Sequence, residues 1–203
     1  MSGYCDGRLV LVTASTWEPV TRSEMKDWLK IEDSETQDDA LIEALIKTAR
    51  ARYQEWTQRA LPREIFDFYP NQVPSLSIEL PRSPLVSIGS IKGFTDTDAT
   101  DTGGTSMNTS EFYTDIASEP GRVVAFGGFT FPTATRIVNP VIVRFTAGYT
   151  SSSGSGGVPE MAKTKLKQMV ARAYEFRGDQ SQAEQDALMY EVVADELALP
   201  EWG

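Results

Sequence analysis

The sequence predicts an α+β fold in which N- and C-terminal helices pack together as a small bundle and flank an antiparallel β insert. Apolar residues recur at three- and four-residue spacing before residue 62 and again after residue 158, whereas between these segments they alternate with polar residues. Helices at both ends of an inserted sheet indicate an α+β architecture, because each amphipathic face needs a partner. We therefore expect an N-terminal arm over residues 1–20, a single domain over 21–178 and an acidic tail over 179–203.

The first part of the domain contains signals for two helices, over residues 22–30 and 34–61. Thr21 or Ser23 can cap the first helix. Ser34 and Gln37 have the spacing of a capping box at the start of the second helix. The second helix carries an apolar stripe made of Leu41, Ile42, Leu45, Ile46, Ala49, Tyr53, Trp56 and Ala60.

The β insert, residues 63–149, is predicted from alternating side chains separated by turn formers. The predicted strands lie at 64–69, 76–80, 85–94, 111–115, 121–126 and 141–145. A further alternating run, formed by Leu9, Leu11 and Thr13, fits either an arm or an edge strand. The tract over 96–110 has little to bury, so we expect a long exposed hairpin loop there.

The C-terminal part begins with a Ser/Gly connector and continues with a helix over 159–177. Pro159 has the place of a first-turn proline, and Gly178 that of a C-terminal cap. The apolar stripe of this helix consists of Ala162, Leu166, Met169, Val170, Ala173 and Phe176. Its polar side carries the cations Lys163, Lys167 and Arg172, which either face water or meet an acidic partner surface, such as the acidic tail of a neighbouring copy.

The acidic tail differs from the rest of the chain in charge. No Lys or Arg follows Arg177, and seven carboxylates do. A last helix over 183–198 is predicted, with a narrow apolar stripe formed by Leu188, Met189, Val192 and Val193. Because this stripe is narrow for a solitary helix, we expect the segment to order against a partner.

The composition argues against most catalytic chemistry. The chain has no histidine and one cysteine, which removes the commonest general base and the commonest metal ligands, so we expect no cofactor and no enzymatic activity. Asp96, Asp98 and Asp101 do not match a calcium loop, because Asp101 stands where that pattern requires glycine. The net charge of −10 disfavours a grip on nucleic acid. No apolar run approaches the roughly 18 residues of a membrane span, and the N-terminus lacks a secretion signal, so we expect a chain that is kept in the cytoplasm.

The order of five segments resembles the head-tail connector (adaptor) proteins of tailed bacteriophages and of phage-derived gene transfer agents. These segments are DDALIEALIKTARARYQEWTQRAL, LPRSPLVSIGSI, FYTDIASEPGRVVAF, VIVRFTAGY and VPEMAKTKLKQMVARAYEFRG. The strongest elements are LPRSPL at 80–85 and FTAGY at 145–149 leading to Val158 and Pro159. The resemblance covers about Thr21 to Gly178 and includes no catalytic signature.

The resemblance implies a structural adaptor of the virion neck, assembled in the cytoplasm of a bacterial host. Such adaptors form a homo-oligomeric ring, usually of twelve copies, below the portal protein. The ring lengthens the channel through which DNA passes without specific binding, and the acidic surplus fits a wall that repels phosphate. The resemblance makes the portal and a stopper or tail-terminator protein the expected partners.

Three groups of residues become candidate contacts under this interpretation. The portal or a neighbouring copy would meet Leu188, Met189, Val192 and Val193. A tail-side partner would meet the loop that carries Asp96, Asp98 and Asp101. A neighbouring subunit would meet the basic face of Lys163, Lys167 and Arg172.

The sequence leaves two alternative functions open. One is another neck component, such as a stopper or tail-completion protein. The other is a carboxylate-based hydrolase or a carbohydrate-binding β-module, against which the lack of histidine and of a clustered aromatic platform in the β region argues.

Overall fold

The computed structural model describes residues 6–73, 76–132, 134–151 and 156–176. These residues divide into two compact units. We call residues 6–14 and 63–148 the β unit, and residues 15–62 and 149–176 the helical unit. The helices within the described residues are α1 (Arg22–Leu29), α2 (Asp39–Thr57) and α3 (Glu160–Glu175). The strands are β1 (Gly7–Thr13), β2 (Glu64–Pro70), β3 (Ser77–Glu79), β4 (Leu85–Gly93), β5 (Thr105–Ser106), β6 (Phe112–Asp115), β7 (Arg122–Ala125) and β8 (Val141–Ala147).

The helical unit is a small bundle in which each of α1, α2 and α3 contacts the other two. Its core consists of Val20, Met25, Ile42, Ile46, Ala49, Tyr53, Leu61, Val158, Ala162, Leu166 and Val170. The core therefore contains part of each stripe that the sequence indicated, whereas Leu45, Trp56 and Met169 are half-buried. Phe176, at the end of the α3 stripe, is exposed. The predicted α+β fold is confirmed: N- and C-terminal helices pack together, and the antiparallel β insert lies between them in the sequence.

The start of α1 confirms Thr21 as its cap. The Thr21 hydroxyl oxygen accepts from the Glu24 amide at 3.2 Å, and the Glu24 carboxylate accepts from the Thr21 amide at 2.8 Å. This reciprocal pair satisfies two amides that the first turn would otherwise leave free. The helix ends where Lys30 takes a left-handed conformation, with a φ of 59°.

Helix α2 is shorter than the predicted span of 34–61. The predicted capping box of Ser34 and Gln37 does not cap it, because the helix begins after Asp38. The physical reason lies in Lys26, which is 3% exposed and whose ammonium donates to the carbonyls of Asp33 and Glu35 at 3.2 and 2.6 Å. These bonds hold the connection as a loop around the lysine. At the other end, Gln58 in a left-handed conformation stops the helix.

The β unit contains two antiparallel sheets. The larger has the strand order β1-β2-β8-β4-β5 and the smaller the order β3-β7-β6. In the larger sheet Phe66 lies opposite Phe145, and their ring centres are 5.6 Å apart. Asp67 lies opposite Arg144 in the next pair, and the two form a bidentate ion pair with N–O distances of 2.8 and 2.7 Å. Stacked rings and cross-strand pairs of this kind fix the register of the central strands.

Two parts of the β unit differ from the simplest sequence expectation. The N-terminal run is an edge strand, β1, paired with β2, so this part of the expected arm belongs to the sheet. The tract over 96–110 is not wholly exposed, because β5 pairs with β4 and Met107 is 7% exposed. The predicted helix over 183–198 lies outside the described residues.

Candidate interaction surfaces

The β unit carries a tip in which Arg136 joins two loops. We call residues 94–104 and 134–140 the Arg136 tip. The guanidinium lies over the Phe94 ring, 4.4 Å from its centre, and pairs with Asp101 at 2.7 Å. It also donates to the carbonyls of Val138 and Asn139, each at 2.7 Å. One side chain, 16% exposed, therefore fixes the second loop against the first.

The three acidic residues of the candidate tail-side loop all lie at this tip. Asp101 is bound to Arg136, and the Asp96 amide donates to the Thr135 hydroxyl at 3.2 Å. Asp98 accepts from the amide and hydroxyl of Thr95 at 2.7 and 3.0 Å, which lowers the pKa of its carboxyl. Asp98 and Asp101 thus help to build the loop, and neither is an isolated surface charge.

The Arg136 tip presents two apolar side chains to solvent. Ile137 is 93% exposed and Val138 is 68% exposed. Their backbone is held by the hydrogen bonds of Arg136, and Asn139 follows in a left-handed conformation with a φ of 54°. A fixed, exposed pair of β-branched residues loses little conformational entropy when a partner covers it.

In the helical unit, the three candidate cations fall on two sides of α3. Lys163 pairs with Glu160 at 2.8 Å, and the Lys167 ammonium lies 5.8 Å from the centre of the Trp28 ring on α1. Arg172 instead borders a groove between α3 and α2. The structure therefore places Lys163 and Lys167 near one another and Arg172 apart from them.

The groove between α2 and α3 is the second surface, and we call it the α2–α3 groove. It is lined by Leu45, Thr48, Ala49, Arg52, Trp56, Met169, Arg172 and Ala173. Among the described residues that line it, the charged ones are the two arginines. Its character, an apolar floor beside two arginines, suits an apolar partner that carries negative charge.

Metal chemistry has no support in the part of the chain that the structure describes. No group of three or more His, Cys, Asp or Glu side chains there could hold an ion. Within the same residues, no helix combines the length and apolar character needed to cross a bilayer.

Sequence reasoning missed Arg136, Ile137 and Val138, although a weak signal was present. An Ile-Val pair stands alone in a tract of turn formers, between Arg136 and the Asn139-Pro140 dipeptide. The candidate contacts Leu188, Met189, Val192 and Val193 lie outside the described residues.

Solved structures that share the fold of this chain include three from gene transfer agent particles, whereas no protein-family model and no curated protein matches it. A chain in the neck of a native gene transfer agent particle, computed with C12 symmetry, is 20% identical with a TM-score of 0.72, covering 97% of this chain and 98% of that chain. A chain in the virion of the native particle is 18% identical with a TM-score of 0.73, covering 96% and 97%. A chain in the neck of the empty particle, computed with C6 symmetry, is 20% identical with a TM-score of 0.71, covering 85% and 86%.

These likenesses extend over both units of the chain, and they agree with the resemblance that its segments carry. At identities of 18–20% they establish the fold. This chain has the fold of a chain from the neck of a gene transfer agent particle.

Proposed function

We propose that this chain is a non-enzymatic structural protein of a virion neck, and specifically the adaptor that forms a ring below the portal. The observation that carries the proposal is the shared fold, which covers nearly the whole of this chain and of a neck chain. The ring would extend the DNA channel from the filled head towards the tail. It would assemble in the cytoplasm of the bacterial host.

Charge and symmetry support this role. A net charge of −10 suits a channel wall along which DNA slides without being held. The neck maps that contain the similar chains were computed with C12 and C6 symmetry, which fits a homo-oligomeric ring. We propose twelve copies for this chain, as the C12 symmetry favours.

The proposal gives the Arg136 tip a role as a contact for a tail-side partner, a stopper or tail-terminator protein. Ile137→Asp combined with Val138→Asp should leave the fold unchanged, since both side chains face solvent. It should block tail attachment, because two charges would enter an apolar contact. Ile116→Asp is the control, because Ile116 is an apolar residue of the same unit that is 58% exposed and is not one of the residues of the tip. Normal tail attachment with the double variant would remove this role.

We propose that the helical unit and the acidic tail that follows it lie on the side of the ring that faces the portal. We propose that Leu188, Met189, Val192 and Val193 contact the portal or an adjacent copy in the assembled neck. Lys163, Lys167 and Arg172 would face an adjacent copy, from two sides of α3 as described above.

The function is tested by removing the gene from a producing strain. We expect DNA-filled heads without tails in electron micrographs, with tailed particles restored when the gene is supplied again. Tailed, infectious or transfer-competent particles in its absence would overturn the proposal. Another position in the neck, such as that of a stopper or tail-completion protein, would be recognised by the copy number and place of the chain in the particle.

A further inference from the structure

The α2–α3 groove has a composition that calls for a particular occupant. Its floor is apolar and is formed by Leu45, Ala49, Trp56, Met169 and Ala173. Leu45, Trp56 and Met169 are only half-buried although they pack against the core of the helical unit. Arg52 and Arg172 also line the groove. A fitting partner therefore combines an apolar stripe with flanking negative charge.

The chain that continues from α3 has this composition. The segment over 183–198 repeats apolar residues at helical spacing through Leu188, Met189, Val192 and Val193. It contains no Lys or Arg. On a helical projection Glu184, Asp186, Glu191 and Asp195 flank the stripe, and Glu196 follows it on the same face. The stripe and the floor of the groove are both apolar. The carboxylates beside the stripe are negative, and Arg52 and Arg172 in the groove are positive.

We infer that, before any assembly, the segment over 183–198 folds back as a helix and occupies the α2–α3 groove of its own subunit. The segment would then form the fourth helix of the bundle. The inference concerns the free protein and stands whether or not the chain belongs to a virion neck.

The length of the chain allows this return without strain. Tyr174, near the end of α3, donates a hydrogen bond to Asp38 at the start of α2, so α2 and α3 run antiparallel. Residues 177–182 would then provide a connection of six residues that includes Gly178, within the usual length of a helix–helix turn. A helix that follows such a turn runs back along α3 as an αα-hairpin.

The register of this hairpin brings the stripe to the groove. Met169 lies seven residues before Phe176, or roughly 10 Å along the helix axis. If residue 183 lies beside Phe176, the position level with Met169 is 190, which is halfway along the stripe that runs from Leu188 to Val193. The same alignment places Asp186 beside the last turns of α3, where Arg172 lies. Apolar contact and charge pairing therefore favour one register.

The inference is tested on the full-length chain by hydrogen–deuterium exchange read by mass spectrometry at a concentration where the protein is monomeric. An isolated helix of this length is marginal in water, so an unpacked segment exchanges at nearly the rate of unstructured chain. We expect the amides over 184–198 to exchange about tenfold slower, or more, than that rate.

Two variants and one control separate the groove from other causes of protection. Met169→Glu places a charge in the floor of the groove, and Val192→Asp places one in the stripe while leaving α1, α2 and α3 unaltered. Both should return the segment to the unstructured rate. Met161→Glu makes the same change as the first variant on the same helix, at a side chain that is 57% exposed and outside the groove. It should leave the protection as it is.

Three results would overturn the inference. One is exchange of the segment at the unstructured rate in the unaltered protein. Another is protection that survives both Met169→Glu and Val192→Asp. The third is protection that disappears on dilution, because the occupant would then be the segment of a neighbouring copy.

Discussion

Replacing Lys26 by Met should destabilise the helical unit more than any exposed charge substitution. The Lys26 ammonium is buried, pairs with Asp39 at 2.7 Å and donates to the carbonyls of Asp33 and Glu35. Methionine keeps the apolar stem and removes all three interactions. The connection between α1 and α2 then loses the group around which it is wrapped.

The magnitude follows from what the substitution leaves behind. Removing one partner of a buried ion pair typically costs about 3–5 kcal/mol, because the other charge stays buried. The Asp39 side chain is 17% exposed and keeps Arg22 at 3.3 Å, which reduces that penalty. We therefore expect a loss of about 3 kcal/mol in the free energy of unfolding. Asp39→Asn in the Lys26→Met background should recover part of it, since the unpaired carboxylate is removed.

Urea unfolding followed by tryptophan fluorescence measures this loss. Three of the four tryptophans, Trp17, Trp28 and Trp56, lie in the helical unit, so the signal reports mainly on that unit. Lys47→Met is the matched control, because Lys47 is exposed on α2, and it should change the free energy by no more than about 0.5 kcal/mol. If Lys26→Met behaves like Lys47→Met, the buried ammonium does not organise the connection and our explanation for the late start of α2 is wrong.

Three further predictions concern single side chains. Leu166 is 1% exposed in the core of the helical unit, so Leu166→Ala should lower the free energy of unfolding in urea by about 3 kcal/mol. A loss below about 1 kcal/mol would contradict the described packing. Hydrogen bonds from Ser118 and Arg122 lower the pKa of Asp115 from 3.8 to about 2. The ionised Asp115 therefore stabilises the fold above pH 3.8, and this stabilisation is lost as the pH falls through about 2. A carbon NMR titration should find this pKa, and Arg122→Gln should raise it. Burial raises the pKa of the Tyr53 phenol from 10.0 to about 12. The neutral Tyr53 therefore stabilises the fold below pH 10, and this stabilisation is lost as the pH rises through about 12. In an absorbance titration of the tyrosines, the last step of phenolate formation should be missing in Tyr53→Phe.

Helices and strands whose apolar residues recur with a regular spacing could be predicted from the sequence. The stripe of α3 reappears as the buried residues Ala162, Leu166 and Val170, and the alternation at 141–145 as the central strand β8. In both cases the pattern within one segment already contains the information, because one face of the element meets the core.

The features that depend on contacts between distant residues could not be predicted in this way. Lys26 has the appearance of a surface residue in the sequence, and only the fold brings the carbonyls of Asp33 and Glu35 around it. Arg136 meets Asp101 across 35 positions, so no local pattern identifies the tip that it organises. Pairing of β1 with β2 likewise joins parts of the sequence that two helices separate.

The central claim is that this chain forms a ring in the neck of a virion, and localisation within the intact particle tests it most directly. An electron cryomicroscopy reconstruction of particles from a producing strain should show the two units of this chain repeated twelve times in a ring between portal and tail. Density for the chain elsewhere in the particle, or purified particles that lack the chain altogether, would contradict the account.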